Sequence, residues 1–236
     1  QSFLNAYAVL TNLDNITKIT DDDTNTFLML NNNTAHVNEI LLEPDYEPAM
    51  VVDNTEYDNN HRPRYSVTGD SITLENKSEM AHYHVTMSAL IQLGNWFDYL
   101  KQQGVYDNTR IILVSDHGFK LGYEDLLIED SEYEIPSYLA LLMVKDFNSQ
   151  EFKIDDTFMT NEDTPTLAME GLIEDPINPF TGNPVNSQYK EINPLYVLEA
   201  PFGPVENYTF YDGTWFEVKD NALDPENWKI VEDPNK

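Results

Sequence analysis

The stretch NWFDYLKQQGVYDNTRIILVSDHG, residues 95–118, carries the strongest structural signals in the chain. It begins inside a longer segment in which apolar side chains recur at helical spacing from Ala89 to Leu100. Gly104 follows the last of these residues and is a candidate C-cap, because glycine readily adopts the positive φ that ends many helices. We therefore predict a helix from about residue 80 to 103.

Two continuous apolar runs follow this helix. The turn YDNT (106–109) leads into RIILV (110–114), and a second run, SYLALLMV, occupies residues 137–144. Short continuous apolar runs rich in β-branched residues are typical of strands buried on both faces. A further helix is predicted at 164–173, with Pro165 in its first turn. This order of elements predicts an α/β sandwich with a mainly parallel central sheet.

The segments on the N-terminal side of the helix are less regular. AYAVLTNL (6–13) and TFLML (26–30) are predicted to be two strands. Residues 31–50 show no periodicity and are predicted to form a loop. Residues 51–78 are polar and predicted to be a surface excursion.

The C-terminal region contains one clear signal. Within YTFYDGTWFEV (208–218), Asp212 and Gly213 lie between aromatic and β-branched residues, which is a strong indication of a β-hairpin. We therefore predict two parts, an α/β region over residues 1–200 and a β-hairpin with a tail over residues 201–236.

The composition restricts the partners of the protein. The 236 residues carry a formal net charge of −29 with only 13 Lys and Arg. Nucleic acid is not an expected partner, because phosphate recognition requires clustered positive side chains. Cysteine is absent, which excludes disulfide and thiolate chemistry. No apolar run reaches the roughly 20 residues that span a bilayer, and we expect this chain, which begins at Gln1, to be part of a longer protein.

Ser115-Asp116-His117-Gly118 follows directly after the first buried strand. Ligands of open α/β sheets bind beyond the carboxyl ends of the strands, and a carboxylate with an imidazole suits a divalent metal. A glycine at 118 lets the backbone turn away sharply without a Cβ at the site. The alternative is an ordinary polar strand end with a surface histidine. A Ser-His-Asp triad is excluded, since adjacent residues of an extended chain point to opposite faces.

Three segments resemble the alkaline phosphatase/sulfatase superfamily. FDYLKQQGVYDNTRIILVSDHG is similar, in order and spacing, to its lipoteichoic acid synthase and phosphoethanolamine transferase branches. In those branches an amphipathic helix leads through a Gly-x-Tyr-Asp-Asn-Thr turn into the strand that carries Ser-Asp-His-Gly. NNNTAH (31–36) and EDTPTLAMEGLI (162–173) resemble two further superfamily segments. The resemblance covers roughly residues 27–173 and implies an alkaline-phosphatase-like sandwich.

The resemblance implies roles for three residues. Asp116 and His117 correspond to ligands of a divalent metal, which would be Mn, Zn, Mg or Ca, and His36 corresponds to a residue that contacts the phosphate or sulfate. Relatives carry a Thr, Ser or formylglycine nucleophile and an acidic ligand well before the His loop, and the 35 residues before His36 contain no comparable segment. We therefore expect the C-terminal half of a catalytic domain, without a catalytic nucleophile of its own and inactive alone.

For the intact enzyme, the resemblance implies that a metal-activated Thr or Ser attacks phosphorus or sulfur, and that a covalent intermediate passes to water or an acceptor hydroxyl. The expected substrates are sulfate or phosphate esters, either small molecules or the head groups of cell-envelope glycolipids or phospholipids. The expected location is the extracellular face of a bacterial membrane, reached through segments outside this chain, or the secreted fraction. The alternative is a non-catalytic acidic extracellular module, a degenerate relative that binds a partner or Ca²⁺.

Two other polar clusters have competing interpretations. His82 and His84 would share one face of an extended segment and so form a metal pair, but a structural or surface role is the favoured interpretation. His61, Arg62 and Arg64 form the one basic cluster. They would either contact an anionic substrate or form a local salt-bridged loop, and we favour the loop.

Overall fold

The computed structural model describes residues 2–22, 24–67, 69–74, 76–119, 135–199 and 213–234. Contacts divide these residues into two units, the first ending at Thr109 and the second beginning at Arg110. Both units combine helices with strands, which confirms the mixed helix and strand composition. Within the described ranges, no helix is long and apolar enough to cross a membrane.

The described part of the first unit is mainly helical. Its elements are the helices α1 Phe3–Leu10, α2 Leu13–Ile16, α3 Thr55–Asn60 and α4 Lys77–Gln102, and the strands β1 Pro63–Val67 and β2 Asp70–Thr73.

Helix α4 confirms the helix predicted over residues 80–103. It begins after Asn76, whose side-chain oxygen accepts a hydrogen bond from the N–H of Glu79 at 2.9 Å. This contact satisfies one of the free N–H groups of the first turn. The helix ends before Gly104, whose φ of 74° is the left-handed conformation expected of a glycine at this position. The residues buried on one face recur mostly every three or four positions: Ala81, His84, Val85, Ser88, Gln92 and Leu100.

Helix α1 shows that the strand predicted at residues 6–13 is wrong. Phe3, Ala6 and Leu10 are buried at spacings of three and four residues, which is the period of a helix that packs one face inward. Phe3 joins a buried cluster with Val85 of α4. The apolar run was too short for its period to distinguish a strand from a helix.

The strand predicted at residues 26–30 is also wrong. In the part of the chain that the structure describes, these residues belong to no strand. Phe27 is 80% exposed, and Leu28 and Met29 are exposed as well. A strand needs a hydrogen-bonded neighbour, and none of the described strands pairs with this segment.

Residues 51–78 contain more structure than a surface excursion. β1 and β2 form an antiparallel hairpin whose turn includes Gly69, with a φ of 97°. The hairpin also brings Arg64 into the protein, where its side chain is 2% exposed. The segment predicted to be a surface excursion therefore also contributes a buried side chain.

The second unit contains seven of the described helices and strands and three single 3₁₀ turns. The helices are α5 Thr164–Met169 and α6 Tyr189–Ile192, the strands are β3 Ile111–Val114, β4 Leu142–Lys145, β5 Leu195–Glu199, β6 Thr214–Val218 and β7 Trp228–Val231, and the 3₁₀ turns are Ile135–Tyr138, Asn161–Asp163 and Pro225–Asn227.

The prediction of a mainly parallel sheet is not met by the described strands. β3 and β4 pair antiparallel, with Ile111 opposite Lys145 and Val114 opposite Leu142. The N–H of Ser115 donates to the carbonyl oxygen of Leu141, so β4 begins beside the end of β3. A chain that re-enters at that end must run in the opposite direction, whereas a parallel strand requires a crossover to the other end.

Arg110 joins the start of β3 to α5. Its Nη1 donates to the carbonyl oxygens of Leu167 (2.9 Å) and Glu170 (2.6 Å), where the helix ends. Its Nε donates to Asp146 at 2.9 Å, and its guanidinium lies 4.7 Å from the centre of the Phe147 ring. These contacts satisfy carbonyl groups that a helix C-terminus leaves free.

The C-terminal sheet is antiparallel and has the order β5-β6-β7. Its three strands are consistent with the predicted C-terminal hairpin, and β6 lies where the second hairpin strand is expected. The predicted turn residue Asp212 and the first hairpin strand lie outside the described residues. A Cβ on Gly213 would clash with the carbonyl oxygen of Glu199, so this glycine allows β5 and β6 to approach.

Candidate functional site

Ser115 anchors the loop that follows β3. Its Oγ accepts a hydrogen bond from the N–H of Leu141 at 2.8 Å and donates to the carbonyl oxygen of His117, also at 2.8 Å. The side-chain amide of Asn161 donates to the carbonyl oxygen of Ser115 at 2.9 Å. Because both neighbours of Asp116 are held in this way, the backbone at the predicted metal ligands has a defined conformation.

Gly118 is required by close packing. Its N–H donates to the carbonyl oxygen of Ser137 at 2.9 Å. A Cβ at this position would clash with the carbonyl oxygens of Pro136 and Leu139. A glycine is expected here because it keeps the site open, and the structure adds a second reason, namely the contact between this loop and the 3₁₀ turn at Ile135–Tyr138.

Asp116 and His117 form an exposed pair at the end of β3. The side chain of Asp116 is 92% exposed and that of His117 is 56% exposed, and His117 Nε2 lies 3.9 Å from Asp116 Oδ1. His117 Nδ1 lies 2.7 Å from the carbonyl oxygen of Gly118. Since a carbonyl oxygen only accepts hydrogen bonds, Nδ1 carries the proton. In the neutral ring, Nε2 is therefore the nitrogen with a free lone pair.

This arrangement suits a divalent metal, but it provides only part of a coordination sphere. Histidines that bind metals usually donate their other ring N–H to a carbonyl or carboxylate, as His117 does to Gly118. A zinc site, for example, uses three or four protein ligands, of which this pair would supply two. Among the residues that the structure describes, no group of three or more His, Cys, Asp or Glu is placed to hold a metal ion.

His36, the predicted substrate contact, belongs to the first unit, whereas Asp116 and His117 belong to the second. Its side chain is exposed, and its N–H donates to the carbonyl oxygen of Asn33 at 3.2 Å. Hydrogen bonds fix the loop that carries His36: Oδ1 of Asn32 accepts one from the N–H and one from the hydroxyl of the buried Thr34. The same Asn32 donates to the carbonyl oxygen of Ala6 at 2.9 Å.

A second polar cluster, which we call the buried triad, lies in the first unit and consists of Glu43, Arg64 and His84. Its side chains are 0%, 2% and 1% exposed, respectively. Glu43 Oε2 lies 3.1 Å from Arg64 Nη2, and Glu43 Oε1 lies 3.4 Å from His84 Nε2. Arg64 also pairs with Asp58 at the surface. The N–H of Leu41 donates to His84 Nδ1 at 3.0 Å.

The electrostatics of the buried triad keep its histidine neutral. Burial, together with the positive charge of Arg64, lowers the pKa of His84 to about 4. Burial also raises the pKa of Glu43, although Arg64 acts in the opposite direction. Because Nδ1 of His84 accepts the Leu41 hydrogen bond, the ring proton is on Nε2 and faces Glu43.

In the sequence, two members of the buried triad, Arg64 and His84, stand out only as parts of other clusters. The structural role favoured for His84 is confirmed by its burial, and His82 and His84 cannot share a face because both lie in α4. Arg64 forms the ion pairs expected of the basic cluster, with Asp58 and Glu43, but it lies in strand β1 and not in a loop. Glu43 was missed. Its sequence signal is weak, since it is one of 42 acidic residues in the chain.

No family model matches the chain, and no solved structure matches it significantly. The resemblance to the alkaline phosphatase/sulfatase superfamily therefore rests on the three quoted segments alone.

Proposed function

We propose that this chain is part of a metal-dependent, sulfatase-like hydrolase or phosphotransferase, with Asp116 and His117 as two ligands of its divalent metal. The observation that carries the proposal is the geometry of this pair. The proton on His117 Nδ1 is bound to the carbonyl oxygen of Gly118, and Nε2 lies 3.9 Å from the carboxylate of Asp116. Two ligand atoms that each lie about 2.1 Å from a metal are roughly 3–3.5 Å apart. A small rotation of either exposed side chain would bring His117 Nε2 and Asp116 Oδ1 to that separation.

The elements that lead to the pair also support the proposal. Helix α4, the turn before Arg110 and strand β3 follow one another as the resembling segment requires. The loop after β3 is held by Ser115 and Asn161, and Gly118 permits its close packing. A loop fixed in this way presents its side chains with less loss of conformational freedom on binding.

In the proposed reaction, the chain's own residues bind and orient. A divalent metal supplies Lewis acidity, which stabilises negative charge on the phosphate or sulfate ester and lowers the pKa of a bound hydroxyl. Asp116 would contribute charge neutralisation and His117 a neutral nitrogen ligand. His36 would donate a hydrogen bond to an ester oxygen. The proposal assigns the Thr or Ser nucleophile and the remaining ligands to residues outside this chain.

The proposal has further parts that follow from the same resemblance. It includes an alkaline-phosphatase-like fold with a parallel central sheet, which would need strand pairings other than those described. It includes esters of small molecules or lipid head groups as substrates. We also propose that the protein is located at the extracellular face of a bacterial membrane, to which segments outside this chain attach it, or that it is secreted.

The proposal is tested on the intact protein with two chromogenic esters, bis-p-nitrophenyl phosphate and p-nitrophenyl sulfate, after loading with Mn²⁺ or Zn²⁺. One of the esters should be hydrolysed, and Asp116→Ala or His117→Ala should lower the rate by about 1,000-fold, since loss of a metal site removes several kcal/mol of transition-state stabilisation. The control is Asp98→Ala, an exposed carboxylate of α4 that pairs with Lys101.

Two results would overturn the proposal. Full activity in the Asp116→Ala and His117→Ala proteins would exclude the metal assignment. Hydrolysis of either ester by the 236 residues alone would exclude a nucleophile outside this chain. Absence of hydrolysis combined with selective Ca²⁺ binding would instead support the acidic binding module.

A further inference from the structure

The two faces of the C-terminal sheet lie in different environments. Side chains alternate between the two faces along a strand, and directly opposed residues of neighbouring strands share a face. Phe216 and Val218 of β6 are buried, so their face packs inward. Trp228 of β7 lies opposite Val218 and shares this inner face. Trp215 and Glu217 of β6 therefore lie on the opposite face, which we call the outer face.

The outer face carries two rows of side chains that cross all three strands. The register of the strands defines a polar row, which consists of Tyr196, Glu217 and Lys229. It also defines a neighbouring apolar row, which consists of Leu198, Trp215 and Val231. Since neighbouring strands are about 4.8 Å apart and every second residue of a strand recurs at about 6.8 Å, each row is about 10 Å long and the rows lie about 7 Å apart.

The polar groups of the outer face are available to a ligand. Tyr196 and Lys229 are exposed, and Trp215 and Glu217 are partly exposed. Among the residues that the structure describes, neither the hydroxyl of Tyr196 nor the indole N–H of Trp215 has a hydrogen-bond partner. Glu217 and Lys229 lie opposite each other, yet their side chains form no ion pair within the described ranges. Four polar groups on one face therefore have unused hydrogen-bonding capacity.

An apolar row beside a polar row suits a chain of sugar rings. A pyranose ring has a C–H face and a rim of hydroxyl groups. The C–H groups are attracted to the negative face of an aromatic ring such as that of Trp215 or Tyr196. Hydroxyl groups can donate to Glu217 and accept from Lys229. A row of about 10 Å is long enough for two such rings.

The ends of the rows indicate internal units of a longer glycan. β5 and β7 are the edges of the described sheet, so no further strand of this sheet closes either end of a row. A saccharide that crosses the three strands can therefore continue beyond both edges. A site for a single small molecule is usually concave and surrounds its ligand, which this face does not.

Charge and size favour a neutral glycan over other occupants. The outer face carries one positive and one negative side chain, Lys229 and Glu217, whereas the whole chain carries a net charge of −29. A charge of this size repels anionic polymers and a second copy of the chain. A stable protein interface takes about 800 Å² and roughly 20–30 residues from each partner, far more than the two rows supply.

We propose that the outer face of the C-terminal sheet binds two consecutive units of a neutral glycan chain. Trp215 and Tyr196 lie against the sugar rings, and Glu217 and Lys229 form hydrogen bonds with their hydroxyl groups. The site is formed by the second unit alone, and its ligand class follows from the two rows. It does not depend on the metal proposed for Asp116 and His117.

The test uses the 236-residue chain labelled with 5-fluorotryptophan and two neutral probes, cellotetraose and N-acetylated chitotetraose. At least one probe should shift the ¹⁹F resonance of Trp215 saturably, with a Kd of about 1 mM. The resonance of Trp228, on the inner face of the same sheet, should stay unchanged. Loss of a signal in Trp215→Phe identifies the Trp215 resonance. The monosaccharide of the probe that binds should bind at least about tenfold more weakly, because it covers only one of the two sugar positions.

Two tyrosine variants locate the site. Tyr196→Ala removes one aromatic contact and should weaken probe binding by about three- to tenfold. The matched control is Tyr189→Ala, which removes an exposed tyrosine of α6 and should leave probe binding unchanged.

Four results would overturn the proposal. These are the absence of a saturable shift with both probes, equal shifts of Trp215 and Trp228, equal binding of the monosaccharide, and undiminished binding by a folded Tyr196→Ala protein. A Trp215 signal that responds to protein concentration and to neither probe would identify a second copy of the chain as the occupant, and would overturn the proposal as well. If Tyr196→Ala fails to fold, the comparison of Trp215 with Trp228 in the native chain decides.

Discussion

The chain places its ionisable residues in two opposite environments. In the loop after β3, Asp116 and His117 are exposed, and backbone hydrogen bonds define their conformation. In the buried triad, Glu43 and His84 are enclosed and depend on Arg64 for charge balance. The comparison shows that exposed ionisable side chains can take up a partner at little cost in stability, whereas the stability of the fold depends on the pairing of buried charges.

The largest expected difference between the two regions appears when one carboxylate is removed from each. Glu43→Ala leaves Arg64 and His84 buried without their common partner and should lower the free energy of unfolding by about 3–5 kcal/mol. Asp116→Ala should leave stability unchanged. The measurement is urea unfolding followed by ¹⁹F NMR of 5-fluorotryptophan, in which Trp96 reports on the first unit and Trp215 and Trp228 on the second. Equal stability of the two variants would contradict the account.

Lowering the pH should also destabilise the first unit, by a smaller amount than Glu43→Ala does. The pKa of His84 is about 4 in the folded protein, compared with an ordinary value of 6.5. Below pH 6.5 the unfolded chain therefore takes up a proton that the folded chain does not. This difference in proton uptake should lower the free energy of unfolding by about 3 kcal/mol as the pH falls from 6.5 to 4. Protonation of Glu43, whose pKa is raised by burial, offsets part of the loss. Arg64 and Asp58 are the other charged groups that face this cluster.

The contribution of His84 is separated by comparing the pH dependence of two variants. The Trp96 signal should show a smaller loss of stability at low pH in His84→Gln than in the native chain. His117→Gln, which replaces an exposed histidine, should leave the pH dependence of the first unit unchanged. An unaltered pH dependence in His84→Gln would show that the histidine is not the group responsible.

Much of the fold could be predicted from the sequence where a pattern was long or unambiguous. Helix α4 has many turns of consistent periodicity, and β3 is a continuous β-branched run. Helix α1 could not be distinguished from a strand because its apolar run is short. The direction of β4 depends on the contact between Ser115 and Leu141, which are 26 residues apart, and no local pattern encodes such a contact.

The two polar clusters also differ in how far they could be predicted from the sequence. Asp116 and His117 were found because they are adjacent in a recognisable segment. The buried triad was not found as a unit because Glu43, Arg64 and His84 come from three separate segments. Only folding brings these residues together, and each alone is typical of a polar surface residue.

A smaller effect is expected from Gly118, which connects the exposed pair to the packing beneath it. Gly118→Ala should lower the stability of the second unit by about 1–3 kcal/mol, because its Cβ would overlap the carbonyl oxygens of Pro136 and Leu139. The control is Gly94→Ala in α4, where a Cβ meets nothing within 4 Å and alanine should stabilise the helix by up to about 1 kcal/mol. Stability changes are read from the same ¹⁹F signals. An unaffected Gly118→Ala protein would exclude this packing role.

The most direct test of the central claim, that Asp116 and His117 bind a metal, is a Mn²⁺ titration of this chain with ¹⁵N-labelled histidine. The ring resonances of His117 should broaden at Mn²⁺ concentrations that leave those of His61 unchanged, and Asp116→Asn should abolish the difference. A charge of −29 attracts Mn²⁺ to many places on the surface, so selectivity is the decisive quantity. If His117 broadens no more than His61, or if Asp116→Asn changes nothing, the pair is not a metal site.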